Sequence, residues 1–162
     1  MRLYASVLLP VLLLLQVCGC TPRAVQVVEA GRARDCGVLV DALGDKEHWI
    51  LEDAAVGAGQ ARCANAVPRL VRVLENPAAG PRARAEAAIA LSVLNAIAAL
   101  PKILSALQRT ENSEERYWLV VAAGRFCTAE SLAAVEGAAR DGNVVVSKGA
   151  RKVLLDCRKG GE

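Results

Sequence analysis

Apolar residues recur three and four positions apart along most of this chain. Val67, Leu70, Val71 and Leu74 fall at i, i+3, i+4 and i+7, and Leu100, Ile103, Leu104 and Leu107 repeat that spacing. Such spacing gathers apolar side chains on one stripe of a helix. Segments 36–43 and 132–139 carry the same pattern. Pro68 and Pro101 sit at the starts of two of these segments, where a proline loses no amide donor that the helix needs. A second helix is predicted after each, over 50–63, 82–95, 114–127 and 144–157. Turn-forming stretches separate the members of each pair: Gly44-Asp45, residues 75–81, residues 110–113 and Asp141-Gly142-Asn143. Asn112, Ser113 and Asn143 offer side-chain oxygens that cap helix starts. Two segments have a rival reading. Residues 82–107 also suit one long helix kinked at Pro101, and Val144-Val145-Val146 alone suits a strand. Their register with the rest of the chain favours paired helices.

That register is a repeat. Residues 66–74 align with 99–107 at an offset of 33, with proline, basic and apolar positions matched. Residues 36–43 align with 67–74 at an offset of 31, and 132–139 with 100–107 at 32. A period near 32 built from helix pairs predicts an all-α superhelix, an α-solenoid of about four helical hairpins. The hairpins span 35–63, 66–95, 98–127 and 131–157, within a domain at 35–159. The motif Ala66-Val67-Pro68-Arg69-Leu70-Val71-Arg72-Val73-Leu74 resembles the first helix of HEAT repeats of the short bacterial type. Val146, Ala150 and Leu154 keep the second helix's Val, Ala and Leu positions, with Ser147 where that pattern has Arg. The resemblance implies that second helices line a concave face. Arg82, Arg84, Arg116, Lys148 and Arg151 would then meet a partner, with Lys152 beside them.

The start of the chain has another character. Arg2 precedes an apolar run over 3–17 that ends in Val17-Cys18-Gly19-Cys20. The run is shorter than the about 20 residues a membrane span needs, and Pro10 interrupts it. It reads as an export leader. Gly19-Cys20 resembles the bacterial lipobox. That resemblance implies removal of 1–19, acyl chains on Cys20, and a tether or partial extra helix over 20–34. Thr21, rather than Asp, implies sorting to the outer membrane in a host that has two. The expected location is therefore the cell membrane or outer membrane, lipid-anchored, on the periplasmic side.

Without the leader, 19 basic residues face 17 acidic ones, since Arg2 is the only charge removed. No strong field remains to steer nucleic acid. Trp49, Tyr117, Trp118 and Phe126 are the aromatic residues left, too few to stack a single strand. Cys36, Cys63, Cys127 and Cys157 also remain, and an even number in an exported chain predicts disulfides. Antiparallel packing within a hairpin brings Cys36 towards Cys63. Cys127 and Cys157 end successive second helices. Axes about 8–10 Å apart must converge before those two can bridge.

Catalytic signals are sparse. His48 is the single histidine, and no Gly-x-Ser-x-Gly elbow occurs. Gly57-Ala58-Gly59 lacks the preceding strand of a phosphate loop. Glu114 and Glu115 are adjacent, so they point apart on a helix and suit its N-terminal dipole. Tyr117 and Trp118 continue an apolar helix and are expected in the core. The cluster Lys148, Arg151, Lys152, Arg158 and Lys159, against Asp156, suits a helix C-terminus, anionic head groups or an acidic partner. No catalytic residue, cofactor or metal is expected. The expected function is a non-enzymatic protein-binding module of the bacterial envelope. The alternatives are a structural envelope component without a discrete partner, or an enzyme like the bilin lyases, whose repeat this one resembles without their catalytic residues.

Overall fold

In the computed structural model, which describes residues 22–159, every regular element is helical. Among the described residues there are nine α-helices: α1 (Arg23–Ala33), α2 (Cys36–Ala42), α3 (His48–Gln60), α4 (Val67–Glu75), α5 (Pro81–Val93), α6 (Leu100–Arg109), α7 (Ser113–Gly124), α8 (Ala129–Ala138) and α9 (Val144–Lys159). Short 3-10 turns at Ala64–Ala66 and Ile97–Ala99 lead into α4 and α6. Pro68 and Pro101 occupy the first turns of those helices. The Asn112 side chain accepts from the Glu115 amide at 2.8 Å, and that of Asn143 from the Val145 amide at 2.9 Å. Segment 82–107 is two helices, because Asn95 adopts a left-handed conformation with φ of 52° between them. The leader, Cys18, Cys20 and Thr21 lie outside the described residues.

Segment 20–34, expected as a tether or partial helix, contains the whole of α1. Val27 and Ala30 are buried there, and α1 packs on α3. The exits of the odd-numbered helices share one device. Arg34, Arg62, Asn95 and Cys127 all have positive φ, between 48° and 57°. After the first three, the next amide returns to a carbonyl five residues back: Asp35 to Ala30, Cys63 to Ala58 and Ala96 to Leu91, at 2.8–3.0 Å. This Schellman-type ending satisfies carbonyls the helix would otherwise leave open. It also turns the chain sharply into the next hairpin.

The helices lie in two layers. In one, α1, α3, α5, α7 and α9 pack each on the next. In the other, α4 packs on α6 and α6 on α8, while α2, α4, α6 and α8 each pack on the odd helix that follows. Small side chains let the layers close. Ala54, Ala55, Ala58, Ala87, Ala88, Ala122 and Ala123 are fully buried. Leu39, Leu70, Leu91, Ile103 and Leu119 fill the space between layers, each contributing about 1.5–3 kcal/mol through burial. Gly57-Ala58-Gly59 belongs to this packing. A Cβ on Gly57 would lie 2.7 Å from a Leu39 methyl, and one on Gly59 would lie 3.2 Å from the Ala90 Cα. Both glycines therefore set how closely α3 approaches its neighbours. Val120, Val135, Val146 and Ala150 form a separate, smaller cluster under α8 and α9.

Two disulfides staple helix ends, one between the layers and one within the odd layer. Cys36 at the start of α2 is bonded to Cys63 after α3, with Cα atoms 5.5 Å apart. Cys127 is bonded to Cys157 with Cα atoms 5.6 Å apart. The ends of α7 and α9 do converge as the second bridge requires.

Candidate interaction surface

Helix α9 ends the row with one odd neighbour, whereas each of α3, α5 and α7 buries two flanks against odd neighbours and one side against the even layer. The remaining side of each is free. The first residues of α3, α5, α7 and α9 are His48, Pro81, Ser113 and Val144, spaced by 33, 32 and 31. This register aligns the free sides into rows. Trp49, Arg82, Glu114 and Val145 form the outermost row, all exposed. Asp53, Glu86, Trp118 and Gly149 come next. Val56, Ile89, Val121 and Lys152 follow, the first three half-buried. The face thus carries an apolar strip, Val56–Ile89–Val121, beneath two indoles and three carboxylates.

A hollow of about 230 Å³ opens on this face between α5 and α7. Arg82, Glu86, Glu114 and Trp118 line it, together with Pro81 and Ala85. Trp118 is 40% exposed and Trp49 48%. Trp118, expected in the core, therefore lies on the surface, while Tyr117 beside it is half-buried and meets it edge-on at 4.8 Å. Arg82 reaches across to Glu52 at 3.4 Å. Burial pushes the Glu86 carboxyl above the ordinary glutamate range; Arg82 opposes that shift and Glu52 adds to it.

The basic residues expected on this face divide into two groups. Arg82 is exposed within it, and Lys148, Arg151 and Lys152 are exposed on α9. Arg84 and Arg116 are engaged inside the fold. The Arg84 Nε and Nη2 donate to the two oxygens of Glu115, both at 2.7 Å, and Nη1 donates to the Pro77 carbonyl. Thr110 Oγ1 also donates to Glu115, at 2.6 Å. Arg116 repeats the arrangement one hairpin later. It donates to the carbonyls of Thr110 and Glu111 behind it and holds Asp141 ahead of it at 2.7 Å. The Arg116 hydrogen bond holds the Asp141 carboxyl below the ordinary aspartate range, helped by the Asn143 amide and opposed by burial. Each arginine thus ties its own loop to the next hairpin.

Sequence reasoning missed the pairing of Arg84 with Glu115, whose side chain is 1% exposed. Both carboxylates sit in the first turn of α7 and point apart, as expected, with Glu114 exposed and Glu115 buried. His48 is exposed beside Gly80, where a Cβ would lie 2.8 Å from the imidazole Nδ1 and where the φ of 80° also favours glycine. Among the described residues, no three His, Cys, Asp or Glu side chains converge as metal ligands, and no helix is long and apolar enough to cross a membrane. No family model matches this chain, and no curated protein matches it.

Proposed function

We propose that this chain is a lipid-anchored α-solenoid of HEAT-like hairpins that binds a protein partner in the bacterial cell envelope and makes or breaks no bonds in doing so. The face built by α3, α5, α7 and α9 carries the reading. Its register-matched rows combine an apolar strip with exposed Trp49 and Trp118. Tryptophan is enriched among residues that dominate binding energy. The carboxylates Asp53, Glu86 and Glu114 edge that strip and favour a partner segment that mixes apolar and basic side chains. The layered packing of alternate helices supports the solenoid, because stacked hairpins leave one extended side free. The ion pairs of Arg84 and Arg116 support a structural use for those side chains.

The anchor rests on the leader pattern and on Gly19-Cys20. One acyl chain binds a bilayer only weakly, and bacterial lipoproteins, which the lipobox resembles, carry more than one. Photo-crosslinking tests the binding reading. A photoreactive side chain at Trp118 should give one dominant adduct in the native envelope, and the same group at Lys102 on the opposite layer should not. Diffuse adducts from both positions would reject a discrete partner and leave the structural-component alternative. Cys20→Ser should release the protein from salt-washed membranes, and retention there would reject the anchor.

A further inference from the structure

The exposed side of α9 differs from the rest of the odd layer. Val146, Ser147 and Ala150 are buried, and the helix packs through that side on α7 and α8. Val144, Lys148, Arg151, Leu155 and Lys159 follow at i, i+4, i+7, i+11 and i+15, so they share the opposite side. Val144, Val145 and Leu155 are 60%, 58% and 54% exposed, values unusual for large aliphatic side chains. Cations sit between them, and Asp156 is the single acid on the helix. Arg151 gives one donor to the Ala139 carbonyl at 3.2 Å.

We propose that this side of α9 is a peripheral docking surface for an anionic lipid bilayer, independent of any acyl group on Cys20. The argument is one of matching chemistry. The head-group zone of such a bilayer offers phosphates to ammonium and guanidinium groups, with apolar material a few ångströms deeper. Short aliphatic side chains interleaved with cations along about 24 Å of helix meet both at once. A nucleic-acid backbone would leave the valines and the leucine without a counterpart. An acidic protein groove would satisfy the charges but gain little from aliphatic groups spread along a convex surface.

The full chain should be floated with vesicles of phosphatidylcholine alone and with vesicles containing one-third phosphatidylglycerol. The leader, with its Arg2, is the same in every variant, so the quantity read is the gain caused by the anionic lipid, compared between wild type and variants. That gain should be large at low salt and mostly lost at molar salt, where the Debye length shrinks to about 3 Å. Each basic residue near such a surface contributes roughly fivefold, so K148E/R151E/K152E should lower the gain by on the order of a hundredfold. V144S/V145S/L155S should lower it several-fold, and R69E/R72E on the opposite layer should leave it intact. Equal binding to both vesicles overturns the proposal, as does a gain that survives the charge reversal. Undiminished binding of the serine variant, with full competition by polyglutamate, would make the surface a general polyanion patch and also overturn it. Should a variant fail to fold, amine-reactive labelling of wild type decides: Lys148, Lys152 and Lys159 become protected on adding anionic vesicles, or the proposal falls.

Discussion

Arg84 and Glu115 meet through two parallel hydrogen bonds of 2.7 Å across the α5–α7 boundary. The carboxylate is almost wholly buried, while 18% of the arginine side chain reaches water. The two partners are therefore not equally dispensable. Arg84→Met should cost about 3–5 kcal/mol by stranding a buried charge. Arg84→Met with Glu115→Leu should recover most of that loss, because two apolar groups can replace a buried pair. Urea unfolding of the wild type, both single variants and the double variant measures the coupling. Strictly additive losses would mean that the pair does not act as a unit.

Glu86 gives the fold a pH signature. Its carboxyl is raised by burial, so the folded state binds a proton more readily than the unfolded chain. Ionisation then works against folding as pH climbs from the ordinary glutamate value through the raised one. Glu86→Gln should be more stable than wild type near neutrality, with the two converging below about pH 4. Thermal melts across that range test it, and parallel profiles would contradict the assignment.

The two disulfides should differ in access. Cys63 is 1% exposed, whereas Cys127 lies on the surface. Mild reductant should open Cys127–Cys157 first, as read by differential alkylation and mass spectrometry. Replacing both of those cysteines by serine should cost about 3–4 kcal/mol. Simultaneous opening of the two bridges would show that access does not set the order.

Left-handed residues other than glycine carry a local cost of about 1–2 kcal/mol. Arg62, at φ of 57°, is exposed, and its side chain makes no hydrogen bond or ion pair among the described residues. Arg62→Gly should therefore stabilise the fold by up to about 1 kcal/mol, visible as a rise in the melting midpoint. A fall would show that the arginine side chain matters to the turn.

How much of this was legible in sequence depended on local physics. The even helices α4 and α6 announce themselves because one side of each is polar, so spacing alone locates the core stripe. Asn112 and Asn143 were readable as caps because the hydrogen bond closes within three residues. The odd helices were harder. Residues 117–123 of α7 are apolar on every side, so periodicity could not show that Trp118 faces water while Leu119 is buried. In α9, three consecutive valines differ only in what covers them, and Val146 alone is buried. The Arg84–Glu115 pair spans 31 residues, and no short-range pattern connects two positions that meet only when hairpins stack. Helix α1 falls outside the matched repeat segments, which is why it was expected as a tether or partial helix.

The small cluster of Val120, Val135, Val146 and Ala150 is set apart from the main core. Four side chains of that size supply little cohesion, and the Cys127–Cys157 bond holds α9 to α7 where they fall short. The molecule is thus built to breathe unevenly. Amide protons in α8 and α9 should trade with solvent through local openings while those of α3 and α5 wait for global unfolding.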